Sequence, residues 1–287
     1  MSEESRRSAQ VDVLIASWRR PDLLKRALES VEQVREARAG LVQLHVHVID
    51  EDTGSNAGPA AARNLAAAQG QAEFIAILDD DDQWTTQRLL RSIDVLRDEP
   101  EIALVCGNMS LSERSILDGR GKIPSKGRTF GHRDLALDCF VCTSTVTLRR
   151  LDWERAGGMD ERLQRAEDYD LWLRLTREGA KIRLLPDLLG HYGEQSDRLS
   201  DDSSAMVRAT RAVLSTSAMV TDDRALRNRL GRLDAVIAHS LAKAGRSSEA
   251  RALAIQALRG APMARVAWTA LGRSLTARRN DSASKAG

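Results

Sequence analysis

The sequence predicts an α/β protein built on a doubly wound, mainly parallel sheet with helices on both faces, followed by a helical appendage. Three observations carry this expectation. From residue 11 to residue 106, short apolar runs alternate with amphipathic stretches in the order β-α-β-α-β-α-β, and right-handed crossovers turn that order into a parallel sheet. The run Phe74-Ile75-Ala76-Ile77-Leu78 reads as a buried strand and ends on four carboxylates, Asp79 to Asp82. From Ala205 onward the strand pattern stops and the charge reverses. Residues 205–287 hold 15 Lys/Arg against 5 Asp/Glu, a net +10, which leaves −8 for the remainder of a 287-residue chain of net +2.

The elements follow in order. Residues 1–10 are polar and are expected to be disordered. Val11 to Ala16 form a first strand, and Ser17-Trp18-Arg19-Arg20 leave it. Pro21 suits the first turn of a helix running to about Arg38, with Leu24, Leu28 and Val31 on one face. Leu44 to Ile49 alternate as a second strand and run into Asp50-Glu51-Asp52. His45 and His47 share a face there and read better as polar sheet residues than as metal ligands. An Ala-rich helix from Ala60 to Gln69 bears Arg63 and Asn64; by composition alone Arg63 is a solvated face residue. After the acidic strand tip, Thr85 or Thr86 is expected to cap a helix from Gln87 to Arg97, and Ile102 to Cys106 form the next strand.

Between residues 110 and 135 periodicity is lost, as in a loop. Phe140 to Leu148 reads as a strand. Cys139 and Cys142, in the strand-like run CFVCTSTVTL, face opposite sides, and with three cysteines in all they read as core thiols rather than a redox or disulfide pair. Glu167-Asp168-Tyr169-Asp170 opens a helix whose Leu171, Trp172, Leu173 and Leu175 form its buried side, and Ile182 to Leu185 is a last strand. The stretch from Ala244 to Pro262 loosely resembles one tetratricopeptide unit. The expected divisions are therefore 1–10, 11–204 (halves 11–109 and 110–204), a helical region 205–278, and a disordered tail 279–287.

Several function classes drop out. No apolar run approaches the ~20 residues needed to span a bilayer, and the first ten residues lack a signal-peptide core, so a cytoplasmic location is expected. Aromatics are 3% and are not interleaved with the basic residues, which argues against nucleic-acid binding. What remains is the acidic tetrad. Four neighbouring anions resist burial unless a cation compensates them. At the carboxyl end of a central strand they suit a hard divalent metal carrying a phosphorylated ligand; from the tetrad alone, an acidic surface turn reads equally well.

Four segments in order carry a resemblance: VDVLIASWRRPDLLKRALESV, HVIDED…GPAAARNLAAAQG, FIAILDDDDQW and AGGMDERLQRAEDYDLWLRLTREG. Together they resemble the family 2 inverting glycosyltransferases of the GT-A fold, over about residues 11–200. That resemblance implies transfer of a sugar from a UDP-, GDP- or dTDP-linked donor to an acceptor hydroxyl, with Mn²⁺ or Mg²⁺ as cofactor, as in polysaccharide biosynthesis. Residues 11–109 would form the donor half and residues 110–204 the acceptor half. By the same resemblance Asp81 is a metal ligand, Asp80 meets the donor ribose, and Asp79 touches donor or metal.

The resemblance also implies that Ser17 and Trp18 flank the base, that Asp50 or Glu51 accepts a bond from it, and that Arg63 faces the diphosphate or the acidic cluster. Asp168 would be the general base and Glu167 its neighbour, although carboxylates are favoured at a helix N-terminus in any case. His191 is a further metal or diphosphate candidate, with Asp197, Arg198 and Ser200 as competitors. The chain departs from the family in placing Ala16 and Arg19 where Pro and Asn are usual. Two other classes compete: a non-catalytic binding or scaffold protein of the same fold, and a sugar nucleotidyltransferase, which the lack of glycine in residues 17–20 disfavours. The +10 C-terminal region suggests peripheral association with an anionic membrane at its inner face, or solvated charges on a helical cap.

Overall fold

The structure, a computed structural model, describes residues 8–50, 58–111, 114–115, 124–193, 203–217 and 223–284. It divides into two compact units, Met1–Ser196 and Asp197–Gly287. The first opens with β1 (Ala9–Ser17), α1 (Pro21–Ala37), β2 (Val42–Asp50), α2 (Gly58–Gln69) and β3 (Phe74–Ile77). β1 starts at Ala9 rather than Val11, because Ala9 and Gln10 pair with Val42 and Gln43; part of the stretch expected to be disordered is sheet. Then come β4 (Gln83–Trp84), α3 (Leu90–Asp98), β5 (Ile102–Leu111), β6 (Arg114–Ser115), β7 (Arg128–Phe130) and α4 (His132–Leu137). A 3-10 turn (Thr143–Thr145), β8 (Thr147–Arg149), α5 (Arg150–Ala156), α6 (Glu167–Thr176) and β9 (Lys181–His191) complete the unit's described elements.

The strands form one mixed sheet in the order β2-β1-β3-β8-β5-β9-β4, with β6 on β5 and β7 on β9. β1 pairs parallel with β2 and β3, and β5 with β9. β8 runs antiparallel between β3 and β5, where an unbroken doubly wound order would make those two neighbours. Its Leu148 is fully buried, and the Arg149 guanidinium fixes the strand by donating to the carbonyls of Ile102 (2.7 Å) and Glu99 (2.9 Å).

Two expectations change here. Phe140–Leu148 is not a single strand: Thr145 Oγ1 donates to the Cys142 carbonyl (2.7 Å), and such local hydroxyl bonding favours a turn over a ladder. Cys139 and Cys142 precede that turn, and all three cysteines are free thiols, with Cys106 and Cys142 buried. The helix expected from Gln87 begins at Leu90, because Thr85 does not cap it but donates to the Leu188 carbonyl of β9 (2.7 Å).

One face of the sheet packs Val11, Val13, Ile15, Phe74, Ala76 and Leu78 against Ala27, Val31 and Val34 of α1 and Ile93 and Leu96 of α3. On α6, Leu171, Trp172, Leu173 and Leu175 are buried as expected. The second unit holds α7 (Ser203–Ser217), α8 (Arg224–Lys243), α9 (Ser247–Gly260) and α10 (Arg265–Ser284). α10 continues to Ser284, so residues 279–284, expected to be disordered, are helical. Its core is made of small residues, Ala235, Ala257 and Ala267 in one layer and Ala238, Ala254 and Ala270 in another, which lets the helix backbones approach closely.

A buried polar knot pins the edge of the sheet. Asp12, in the middle of β1 and 1% exposed, accepts bonds from Arg150 Nη2 (2.6 Å), His47 Nε2 (2.8 Å) and the Ala72 amide (2.8 Å). His45 pairs with Gln10 in the same way (2.8 Å), which makes both histidines sheet-face residues. Burial acts upward on the Asp12 carboxyl, but bonds from His47, the Ala72 amide and Arg150 outweigh it and hold it below the usual range. A depressed carboxylate stabilises the fold fully above its unfolded value, and that contribution is lost as pH falls through the folded one. Asp12→Asn should therefore cost about 3 kcal/mol at neutral pH. In urea unfolding at several pH values, the gap to the wild type should shrink only below pH about 4.

Candidate active site

The chain reverses direction across the sheet between β1 and β3, and in open α/β sheets ligands bind outside the carboxyl ends of the strands at such a point. Two loops meet there. One is Ser17 to Arg20, after β1; the other is Asp79 to Asp82, after β3. Ser17 is buried and stands in register with Asp50 at the tip of β2, whose side chain is exposed. Trp18 is half exposed, with the Arg19 guanidinium 5.6 Å over its ring, and Arg19 itself is held at φ +54°. Arg20 Nη1 lies 3.6 Å from Asp80 Oδ1 and 3.4 Å from Asp81 Oδ2, facing both carboxylates from across the gap. Burial pushes the Asp80 carboxyl above its ordinary value; Ser17 and Arg20 oppose the shift, and Asp81 and Asp79 add to it.

Arg63, from the middle of α2, joins this loop to α6. Its Nη2 donates to Asp79 Oδ1 (2.6 Å) and its Nη1 to Glu167 Oε1 (2.8 Å), with Met159 Sδ at 3.9 Å. Burial works against the guanidinium's charge, but Asp79, Glu167 and Asp168 more than compensate and shift it further upward. Glu167 is buried too, and its carboxyl is raised by burial first and by Asp168 second, with Arg63 opposing. Arg63 is thus a strut between two acidic segments of the chain, not a solvated face residue.

The 3-10 turn forms a second tie. Thr143 Oγ1 donates to Asp168 Oδ2 (2.6 Å), while Ser144 Oγ donates to Asp82 Oδ2 (2.6 Å) and accepts from the Asp79 amide (3.1 Å). Asp82 is turned inward: it also accepts from the Gly193 amide (3.3 Å), and burial together with Asp79 pushes its carboxyl up to about 7. A Cβ at Gly193 would lie 1.8 Å from the Asp81 carbonyl, so this close approach of β9's exit to the acidic loop requires glycine. Asp82 therefore anchors the loop that presents the other three carboxylates.

Asp168 sits on the first turn of α6, two residues after Ala166, which takes a left-handed φ of +59°. A non-glycine residue there costs about 1–3 kcal/mol, and such strain gathers at functional sites. The loop before it is clamped to α2 by Asn64, which donates to the Met159 carbonyl (2.9 Å) and accepts from the Met159 amide (2.9 Å). Gly158, at φ +69°, leaves room for that clamp, since a Cβ would meet Asn64 Oδ1 at 2.6 Å. Arg174 Nη2 holds the Gly158 carbonyl from α6 (2.8 Å).

The structure thus brings Ser17, Asp79, Asp80, Asp81, Arg63, Glu167 and Asp168 together in one connected framework. Sequence reasoning missed Arg20, Asn64, Thr143 and Ser144; the Asn64 signal was its place beside Arg63. His191 closes β9 opposite Gln83, and its ring is bonded to the Ser110 hydroxyl. Glu51, Asp197, Arg198 and Ser200 lie outside the described residues. Among the described residues no three His, Cys, Asp or Glu side chains gather into a metal cage. Asp81, a hard oxygen donor at the strand tip, would suit Mg²⁺ or Mn²⁺, which take one or two carboxylates and complete their shell with phosphate and water.

A sheet of this order with an acidic strand tip beside a carboxylate-headed helix defines the GT-A class of glycosyltransferase fold. The S. aureus TarS 1–349 structure in complex with UDP-GlcNAc shares the fold, with a TM-score of 0.55 over 94% of this chain and 89% of that one, at 15% identity. Residues 27–157 match the family described as Glycosyl transferase family 2.

Two curated relatives are similar over part of their length. The Escherichia coli UDP-Glc:alpha-D-GlcNAc-diphosphoundecaprenol beta-1,3-glucosyltransferase WfaP is 27% identical over 44% of this chain and 47% of that protein. The Mycobacterium tuberculosis pre-mycofactocin glycosyltransferase is 32% identical over 45% of this chain and 28% of that protein. The chain therefore spans about half or less of the length of these two relatives.

Replacing Arg63 with methionine keeps the side chain's bulk and strands Asp79 and Glu167 without their shared cation. The expected cost is about 3–5 kcal/mol, read as a shift of the denaturation midpoint at unchanged m-value.

Proposed function

We propose that this chain is a metal-dependent, inverting glycosyltransferase that moves a sugar from a nucleotide-sugar donor to an acceptor hydroxyl. The observation that carries the reading is the junction itself. The strand-tip carboxylates and Asp168 are tied into one framework by Arg63 on one side and by Thr143 and Ser144 on the other. An inverting displacement needs both: negative groups to receive a diphosphate-bound cation, and a base on the acceptor side.

Asp168 takes the proton of the acceptor hydroxyl as its oxygen forms a bond to the anomeric carbon. The bond from that carbon to the phosphate oxygen breaks in the same step, and its electron pair leaves with the diphosphate. The Thr143 hydroxyl and the Tyr169 amide, which bond to the two Asp168 oxygens, fix the carboxylate's plane. Glu167 is a positioning residue that acts through Arg63. Asp80 meets the donor ribose, and Ser17, Trp18 and Asp50 meet the base. A divalent ion would be held by Asp81 together with diphosphate oxygens and water, and would neutralise the charge of the leaving diphosphate. The likeness to the E. coli UDP-Glc-dependent glucosyltransferase supports a UDP-linked donor.

Asp81→Asn should remove the Mn²⁺ dependence of sugar-nucleotide binding in calorimetry; unchanged, metal-dependent affinity would refute the metal assignment. Asp168→Asn should bind the donor as the wild type does, yet lose about 10²–10⁴-fold in turnover. Near-normal turnover in that variant would exclude Asp168 as the base.

A further inference from the structure

The second unit carries an amphiphilic corner that the catalytic reading does not use. α9 packs back on α8 so closely that a Cβ on Gly260 would lie 2.6 Å from the Arg227 carbonyl, and one on Gly231 would lie 2.7 Å from the Ala257 carbonyl. The amino-terminal half of α8, the end of α9 and the start of α10 therefore meet. Trp268 Nε1 bonds to the Pro262 carbonyl (3.0 Å), which folds the α9–α10 turn against α10. At this corner Met263 is 92% exposed, Trp268 57% and Val266 41%. Arg224, Arg227, Arg259 and Arg265 are exposed around them. Asp223, the described carboxylate at this corner, caps α8 by accepting the amides of Ala225 and Leu226.

We propose that this corner docks on an anionic lipid surface, with Met263 and Trp268 entering the headgroup region and the arginines pairing with lipid phosphates. The charge is complementary, since the region from residue 205 carries a net +10. Arginine pairs well with phosphate, and tryptophan favours the boundary between water and hydrocarbon. A second copy of the chain is a poorer occupant. A stable dimer buries ~800 Å² per partner through about 20–30 residues, whereas the apolar tip here is three side chains, Met263, Val266 and Trp268. The proposal needs no donor or turnover, so it stands or falls apart from the catalytic reading.

The test is co-sedimentation of the full chain with vesicles of phosphatidylcholine, alone or mixed with phosphatidylglycerol. The wild type should pellet with the mixed vesicles and not with the neutral ones. Arg227→Gln and Arg265→Gln should each weaken partitioning roughly fivefold, the equivalent of about 1 kcal/mol per charge near an anionic surface. Met263→Ser with Trp268→Ala should weaken it further at unchanged charge. The altered side chains are exposed, so unchanged helical circular dichroism is expected and is checked alongside. Equal binding to both vesicle types, no binding to either, or variants that bind like the wild type would overturn the proposal. So would vesicle-free self-association that Trp268→Ala abolishes.

Discussion

A guanidinium sealed inside a protein must be surrounded by enough negative charge to justify its burial, and Arg63 meets that demand with Asp79 and Glu167 at hydrogen-bond distance and Asp168 nearby. The planar fork of arginine lets one cation satisfy two carboxylates from opposite sides, which a lysine ammonium would do less well. The consequence is mechanical as well as electrostatic. α2, the acidic strand tip and the head of α6 form one unit, and none can shift without stranding a buried charge. The strand-tip carboxylates and those at the head of α6 thereby keep a fixed relation before any ligand arrives.

The remaining polar contacts reinforce that relation. Asp82 and Ser144 hold the acidic loop from beneath, Thr143 orients Asp168, and Asn64 keeps the turn before α6 on α2. Backbone strain sits on both sides of the site, at Arg19 and Ala166, where left-handed residues aim the Ser17–Arg20 loop and the first turn of α6. Arg20 faces Asp80 and Asp81 and partly offsets a repulsion that burial would otherwise aggravate.

Much of this was legible in the sequence, because periodicity and strand-end chemistry are local. The alternation from residue 11 to residue 106 located the first strands and helices, and the apolar run ending in aspartates pointed to the candidate site. What stayed hidden depends on partners far away along the chain. Asp12 looks like a surface residue of a strand until Arg150, 138 residues later, closes on it. Asp82 is indistinguishable from its three neighbours until Ser144 and Gly193 claim it. Thr143-Ser144-Thr145 has strand-like composition, yet side-chain bonds to the backbone turn it into a 3-10 turn, and the short β8 that follows has no run of its own to announce it.

The central claim is that Asp79 and Glu167, 88 residues apart in sequence, form one energetic unit through Arg63. A double-mutant cycle with Asp79→Asn and Glu167→Gln, followed by denaturant unfolding, measures this directly. The account predicts a coupling of about 1 kcal/mol or more between the two substitutions. Additivity within ~0.3 kcal/mol would contradict it, because it would mean the two acidic segments are stabilised independently of the arginine they share.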